Sequence, residues 1–212
     1  MATEAPIDSP STTREEWLRA AVDHLRPTFA AQGNPLPPAL QVSVGFPSVG
    51  ALARRTRRVG ECWSPQASLD GLHQLFISPL LAEPVLVLAV LAHELVHAAV
   101  GTPARHGPRF RRAALALGLR GRMTATVAGP DLQARLEELA RLLGEFPHAG
   151  LLARDPDRKK QGTRLLKIVC PSCGYTARTT AKWIEIGLPT CPCNTTMRLN
   201  GSESRRTLRP AL

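Results

Sequence analysis

His93-Glu94-Leu95-Val96-His97 places two imidazoles four residues apart, with a carboxylate directly after the first. On a helix, residues i and i+4 project from one face, so both rings can reach one metal ion. The glutamate beside them can then reach a water in an open coordination position. That is the chemistry of zinc-assisted hydrolysis, in which the metal makes water acidic and a carboxylate takes its proton. With 6 His in the chain, this pattern should arise by chance only about 0.01 times in a sequence of such composition.

A catalytic zinc commonly takes three protein ligands and leaves one position open. His106 is the candidate for the third. Gly101-Thr102-Pro103 ends the preceding segment, and the chain needs to climb back only about 6 Å to bring His106 beside the pair. Gly107-Pro108 then releases it into a helix over residues 109–117, with Phe110, Ala113, Ala114 and Leu117 at core spacing. The motif itself lies on a buried helix: Pro84 suits a first turn, residues 85–92 are apolar on all sides, and Gly101 is a stop. That apolar span is too short for a membrane crossing and carries polar residues that hydrocarbon penalises.

A second metal candidate is Cys170-Pro171-Ser172-Cys173-Gly174 with Cys191-Pro192-Cys193. Four thiolates in two knuckles suit a closed, structural zinc, with Gly174 allowing the tight turn after the first pair. The second half, C-x-C, is one residue shorter than the usual ribbon knuckle. A disulfide pair and a C-x-x-C redox site are the alternatives. Cys62, the fifth cysteine, reads as a small buried hydrophobe on a strand and is assigned no role. His24 and His148 lie outside every metal pattern.

The order Phe76-Ile77-Ser78-Pro79, then Leu91-Ala92-His93-Glu94-Leu95-Val96-His97-Ala98, then His106-Gly107-Pro108-Arg109-Phe110, followed by a cysteine ribbon, resembles the SprT-like metallopeptidases. This group includes DNA-dependent proteases of crosslink repair. The resemblance covers residues 60–110 well and the ribbon loosely, and Arg109 departs from it where many relatives carry an acidic residue. It implies a zincin-like α+β domain with zinc on His93, His97 and His106 and with Glu94 as catalytic acid and base. It further implies a protein substrate associated with DNA.

The elements that must position these residues follow from periodicity. Residues 13–31 read as an amphipathic helix bent or interrupted near Pro27, and residues 131–143 as another helix. Residues 41–46, 57–63 and 73–78 read as strands, the last of them an edge that could hold an extended substrate. The expected organisation is a tail (1–12), a metallopeptidase domain (13–150), a linker (151–163), a zinc ribbon (164–200) and a basic tail (201–212). The fold class is α+β with two zinc ions, one catalytic and one structural.

Charge separates the halves. Residues 151–212 carry 12 Lys+Arg against 4 Asp+Glu and residues 1–150 carry 15 against 13, leaving +8 and +2. Such an excess favours a polyanion, and DNA is the expected partner. Tyr175 and Trp183 could stack on bases, and Arg54-Arg55 and Arg57-Arg58 form a second basic run. His73 and the arginines are the candidates for stabilising an oxyanion. The start of the chain shows no apolar targeting segment, which predicts a cytoplasmic protein, at the nucleoid if it binds DNA. Three functions stay open: a protease of DNA-associated proteins, a peptidase indifferent to DNA, and a non-enzymatic regulator that binds nucleic acid on a peptidase scaffold.

Overall fold

A computed structural model of the chain describes residues 13–154, 157 and 165–200. Both expected tails and most of the expected linker lie outside these residues. The architecture is mixed α+β, and the chain divides into two compact units, residues 1–155 and 156–212. Among the described residues, no helix is long and apolar enough to cross a membrane.

The first unit opens with α1 (Arg14–Ala31). A reciprocal cap starts it: Thr13 Oγ1 accepts from the Glu16 amide at 3.2 Å and Glu16 Oε2 from the Thr13 amide at 3.0 Å. The helix runs through Pro27 without the interruption its sequence predicts. Pro27 forfeits one bond to the carbonyl of Asp23, which lies on the exposed side, while Leu25 and Phe29 are buried on either side of it. The apolar stripe therefore outweighs the lost bond.

β1 (Leu40–Val44), β2 (Gly60–Trp63) and β3 (His73–Ile77) form a sheet of order β1-β3-β2, with β1 parallel and β2 antiparallel to β3. β3 is thus the central strand, and β1 and β2 are the edges. The expectation of residues 73–78 as a free edge for substrate is corrected here, because both sides of β3 are already hydrogen-bonded to neighbours.

α2 (Pro84–Val100) begins where the Glu83 carboxylate accepts from the Val85 and Leu86 amides at 2.9 and 2.6 Å, and ends at Gly101 with φ 84°. It packs on β2, β3, α1, α3 and α4, so Val87, Leu88, Leu91, Ala92, Leu95 and Val96 are all buried. α3 (Pro108–Leu117) and α4 (Pro130–Leu143) bracket a hairpin absent from the sequence reading, β4 (Leu119–Arg122) with β5 (Ala125–Ala128).

α1 closes the unit against its last residues. Trp17, fully buried, donates from Nε1 to the Gly144 carbonyl at 3.1 Å and meets the Phe146 ring edge-on at 5.0 Å. The Arg14 guanidinium donates to the carbonyls of Pro147, His148 and Pro79 at 2.6, 3.0 and 3.3 Å and lies 4.6 Å from the centre of the Phe146 ring.

In the second unit β6 (Leu166–Val169), β7 (Thr176–Thr179) and β8 (Arg198–Leu199) make an antiparallel sheet of order β7-β6-β8, followed in chain order after β7 by a short helix, α5 (Ala181–Ile186). Its buried core is small: Ile168, Cys170, Cys191 and Met197.

Replacing Trp17 with alanine removes a fully buried ring and its hydrogen bond, and is expected to cost about 3–5 kcal/mol of stability, read as a lowered midpoint in urea denaturation.

Candidate metal centres and cleft

α2 delivers His93, Glu94 and His97, and the short 3₁₀ turn over Thr102–Ala104 brings the chain back so that His106 meets them. His106 Nε2 lies 3.2 Å from His97 Nε2 and 3.3 Å from His93 Nε2. Three nitrogens held tetrahedrally at zinc bond lengths stand about 3.3–3.4 Å apart. The two separations from His106 match that spacing, the ligand atoms of all three lie within 4.8 Å of one another, and the three residues could hold a metal.

Two features fix the rings. Phe110, fully buried at the start of α3, lies against all three, with ring centres 5.0, 4.3 and 4.9 Å from those of His93, His97 and His106. Thr126 on β5 places its hydroxyl 2.8 Å from His93 Nδ1. If His93 Nε2 were to bind an ion, Nδ1 would carry the proton and donate to Thr126, a contact that would set tautomer and ring orientation. Sequence reasoning missed Thr126. The alternation Thr124-Ala125-Thr126-Val127 was its only signal.

Burial sets the protonation states. Desolvation, then the neighbouring His106, lowers His93 to about 4. Desolvation, followed by His93, His106 and Arg58, lowers His97 to about 3. His106 is lowered by desolvation and then by Arg58. All three are thus neutral near pH 7, the form that binds metal. Glu94, 6% exposed, is pushed up to about 8 by desolvation, with Arg58 pulling down and Glu61 pushing up.

The room for Glu94 comes from Gly60. A Cβ there would lie 2.5 Å from Glu94 Oε1, 2.9 Å from its Cγ and 2.8 Å from Val90 Cγ1. β2 can approach α2 this closely only without a side chain at that position. Cys62, next on the same face of β2, is partly buried, and its thiol is pushed up to about 12 by desolvation and then by Glu94.

These groups line a cleft of about 970 Å³ whose walls include β2, α2, the His106 loop and β5. Arg57, Arg58 and Arg105 line it; His73 does not. His73 is buried, with Nδ1 3.1 Å from the Trp63 carbonyl, so of the expected oxyanion candidates only arginines reach the cleft. Glu61 anchors this wall, accepting from the Ser48 amide and hydroxyl at 2.8 Å each, Trp63 Nε1 at 2.9 Å and Arg58 at 2.8 Å. Desolvation pushes its pKa up, but the bonds from Ser48, Trp63 and Arg58 together outweigh it and hold the pKa below the usual carboxylate value.

In the second unit Cys170, Cys173, Cys191 and Cys193 converge, with their sulfurs within 4.8 Å of one another. Cys170 to Cys193 and Cys173 to Cys191 are each 3.5 Å, close to the roughly 3.7–3.8 Å of a tetrahedral zinc–thiolate site. The shorter C-x-C knuckle is accommodated because Asn194 takes φ 63° directly after Cys193, as Gly174 takes φ 77° directly after Cys173. The Thr195 hydroxyl, and then the neighbouring cysteines, hold Cys193 down to about 6. Tyr175 and Trp183 stay outside this unit's core, 52% and 57% exposed, with Lys182 Nζ 5.2 Å from the centre of the Trp183 ring. His24 and His148 join neither cluster.

The chain matches no family model, no curated protein and no solved structure.

If each cluster holds one ion, elemental analysis of the purified protein is expected to find two metal equivalents, falling to one in His97→Ala and to one in Cys173→Ala.

Proposed function

We propose that the protein is a zinc-dependent peptidase of the SprT-like type, acting on proteins associated with DNA. The observation that carries this reading is the convergence of the His93, His97 and His106 nitrogens at tetrahedral spacing inside an open cleft, with Glu94 buried beside them. When bound, zinc supplies Lewis acidity that makes water a nucleophile near neutral pH and polarises a carbonyl.

The protein's own residues do the rest. Glu94 accepts a proton from the attacking water and returns one to the leaving amine, and an acidity constant near the working pH suits both transfers. The substrate backbone adds to β2. Ser78 N donates to the Val59 carbonyl at 2.9 Å, so by antiparallel alternation the main-chain groups of Gly60 and Cys62 point away from β3, toward the free edge. Phe110 and Thr126 keep the imidazoles in place throughout.

Association with DNA rests on the second unit: its charge excess, the exposed Tyr175 and Trp183, and Lys182 on the Trp183 ring. Because the cleft belongs to one compact unit and this surface to the other, a peptidase indifferent to DNA is the second reading. Added DNA at low salt is expected to raise the cleavage rate of a DNA-binding protein; an unchanged rate selects the second reading.

Glu94→Gln is expected to keep both metals while cleavage falls by about 10²-fold or more, and undiminished cleavage overturns the peptidase proposal. Gly60→Ala should displace the Glu94 carboxyl and lower kcat/KM by about 10²-fold, again with both metals retained by elemental analysis.

A further inference from the structure

The cleft has two chemically different ends, and α2 measures the distance between them. Leu86, Val90, His93 and His97 follow at spacings of four, three and four, forming one stripe along the helix. The eleven residues from Leu86 to His97 span about 16 Å, enough for about five residues of an extended peptide. At the N-terminal end the lining is Leu86, 48% exposed, and Glu83, whose carboxylate already caps α2. Val127, 62% exposed, adds to the apolar wall.

The other end is basic. Arg105 directly precedes His106, and Arg58 lies close enough to His97, His106 and Glu94 for its charge to be felt at all three. Arg105 holds φ 45° and ψ −134°, a conformation glycine adopts freely and a Cβ resists. Arg105 is exposed and is among the residues that line the cleft, and its guanidinium, among the described residues, makes no hydrogen bond or ion pair. Arg58 gives one N–H to Glu61 and has others to offer. The carboxylates of the lining are occupied: Glu61 in four bonds, Glu83 at the cap, and Glu94 within the reacting centre. A cation without a partner at the cleft, kept at a position that glycine would occupy with less strain, marks a place for a ligand's negative charge.

We infer that the cleft selects an extended peptide with an acidic side chain at the C-terminal end of α2, received by Arg105 and Arg58, and an apolar side chain at the other end, beside Leu86. This rests on the peptidase reading and names its substrate class. A nucleic-acid strand fits the cleft less well, because it carries a charge at every nucleotide and meets Leu86, Val127 and Glu83 at the far end, where a cationic track is required.

The test uses dye-labelled decapeptides with one Leu, and Glu or its Gln twin at two to four residues on either side. They are titrated by anisotropy against the zinc-loaded full chain carrying Glu94→Gln, and turned over by the wild type. One Glu placement is expected to bind about three- to fivefold tighter than its twin, the size of an exposed ion pair, with kcat/KM following. Arg105→Gly should bring that ratio to about one while metal content is kept and Tm does not fall. Equal binding of every twin pair overturns the inference, as does a ratio that survives in both Arg105→Gly and Arg58→Gln. So does a single-stranded oligonucleotide that displaces the peptides while twins bind alike, which would give the arginines to nucleic acid. Cleavage without preference for Glu defeats only this inference, whereas selective binding with no cleavage by the wild type defeats only the peptidase reading.

Discussion

The close approach of β2 to α2 at Gly60 is the constraint from which the rest of the cleft follows. With no side chain at that point, the strand seals Glu94 against the helix and removes it from bulk water. Desolvation likewise keeps the buried imidazoles of His93 and His97 neutral, and it brings the Glu94 pKa up to about 8, close to the pH at which a proton is both taken and given. A helix as apolar as α2 can carry so polar a stripe only because one side of it opens to a cleft, while the remaining sides are filled by α1, α3, α4 and the sheet.

The two metal-capable clusters answer different physical needs. In the first unit a large apolar core includes none of the three histidines, which line the cleft beside it. In the second, the fully buried core among the described residues is four side chains, two of them cysteines of the cluster. A module of this size, below about 40 described residues, seldom folds on apolar burial alone, so an ion there would hold the knuckles together, whereas an ion in the first unit has room for a reacting partner.

What could be read from the residues divides along lines of periodicity. α1 and α4 were legible because their apolar positions repeat on one face, α2 because a continuous apolar run lies between Pro84 and Gly101, and the pairing of its two histidines followed from their spacing. His106 needed only the arithmetic of a short return after Gly101. The β4–β5 hairpin was not legible, since its strands are four residues each and mostly exposed, and it is defined by pairing such as Gly121 with Thr126 rather than by an apolar alternation. Thr126 was lost with it. The assignment of the free edge failed for a related reason: strand order is set by long-range pairing, and residues 60–63 and 73–77 carry no local mark of which lies outermost. At Pro27 the interruption does not occur, because the loss of one hydrogen bond is set against a stripe of buried side chains.

The clasp of Arg14 and Trp17 on the carbonyls of Gly144, Pro147 and His148 bears on how the chain comes to be folded at all. During synthesis the first helix emerges early, yet the acceptors of this clasp lie more than a hundred residues downstream. β1 and α2 can pack on α1 before that stretch is made, but until then the Trp17 indole lacks its acceptor and its aromatic neighbour, and the Arg14 guanidinium lacks two of its carbonyls. The clasp is therefore the part of the first unit that closes late.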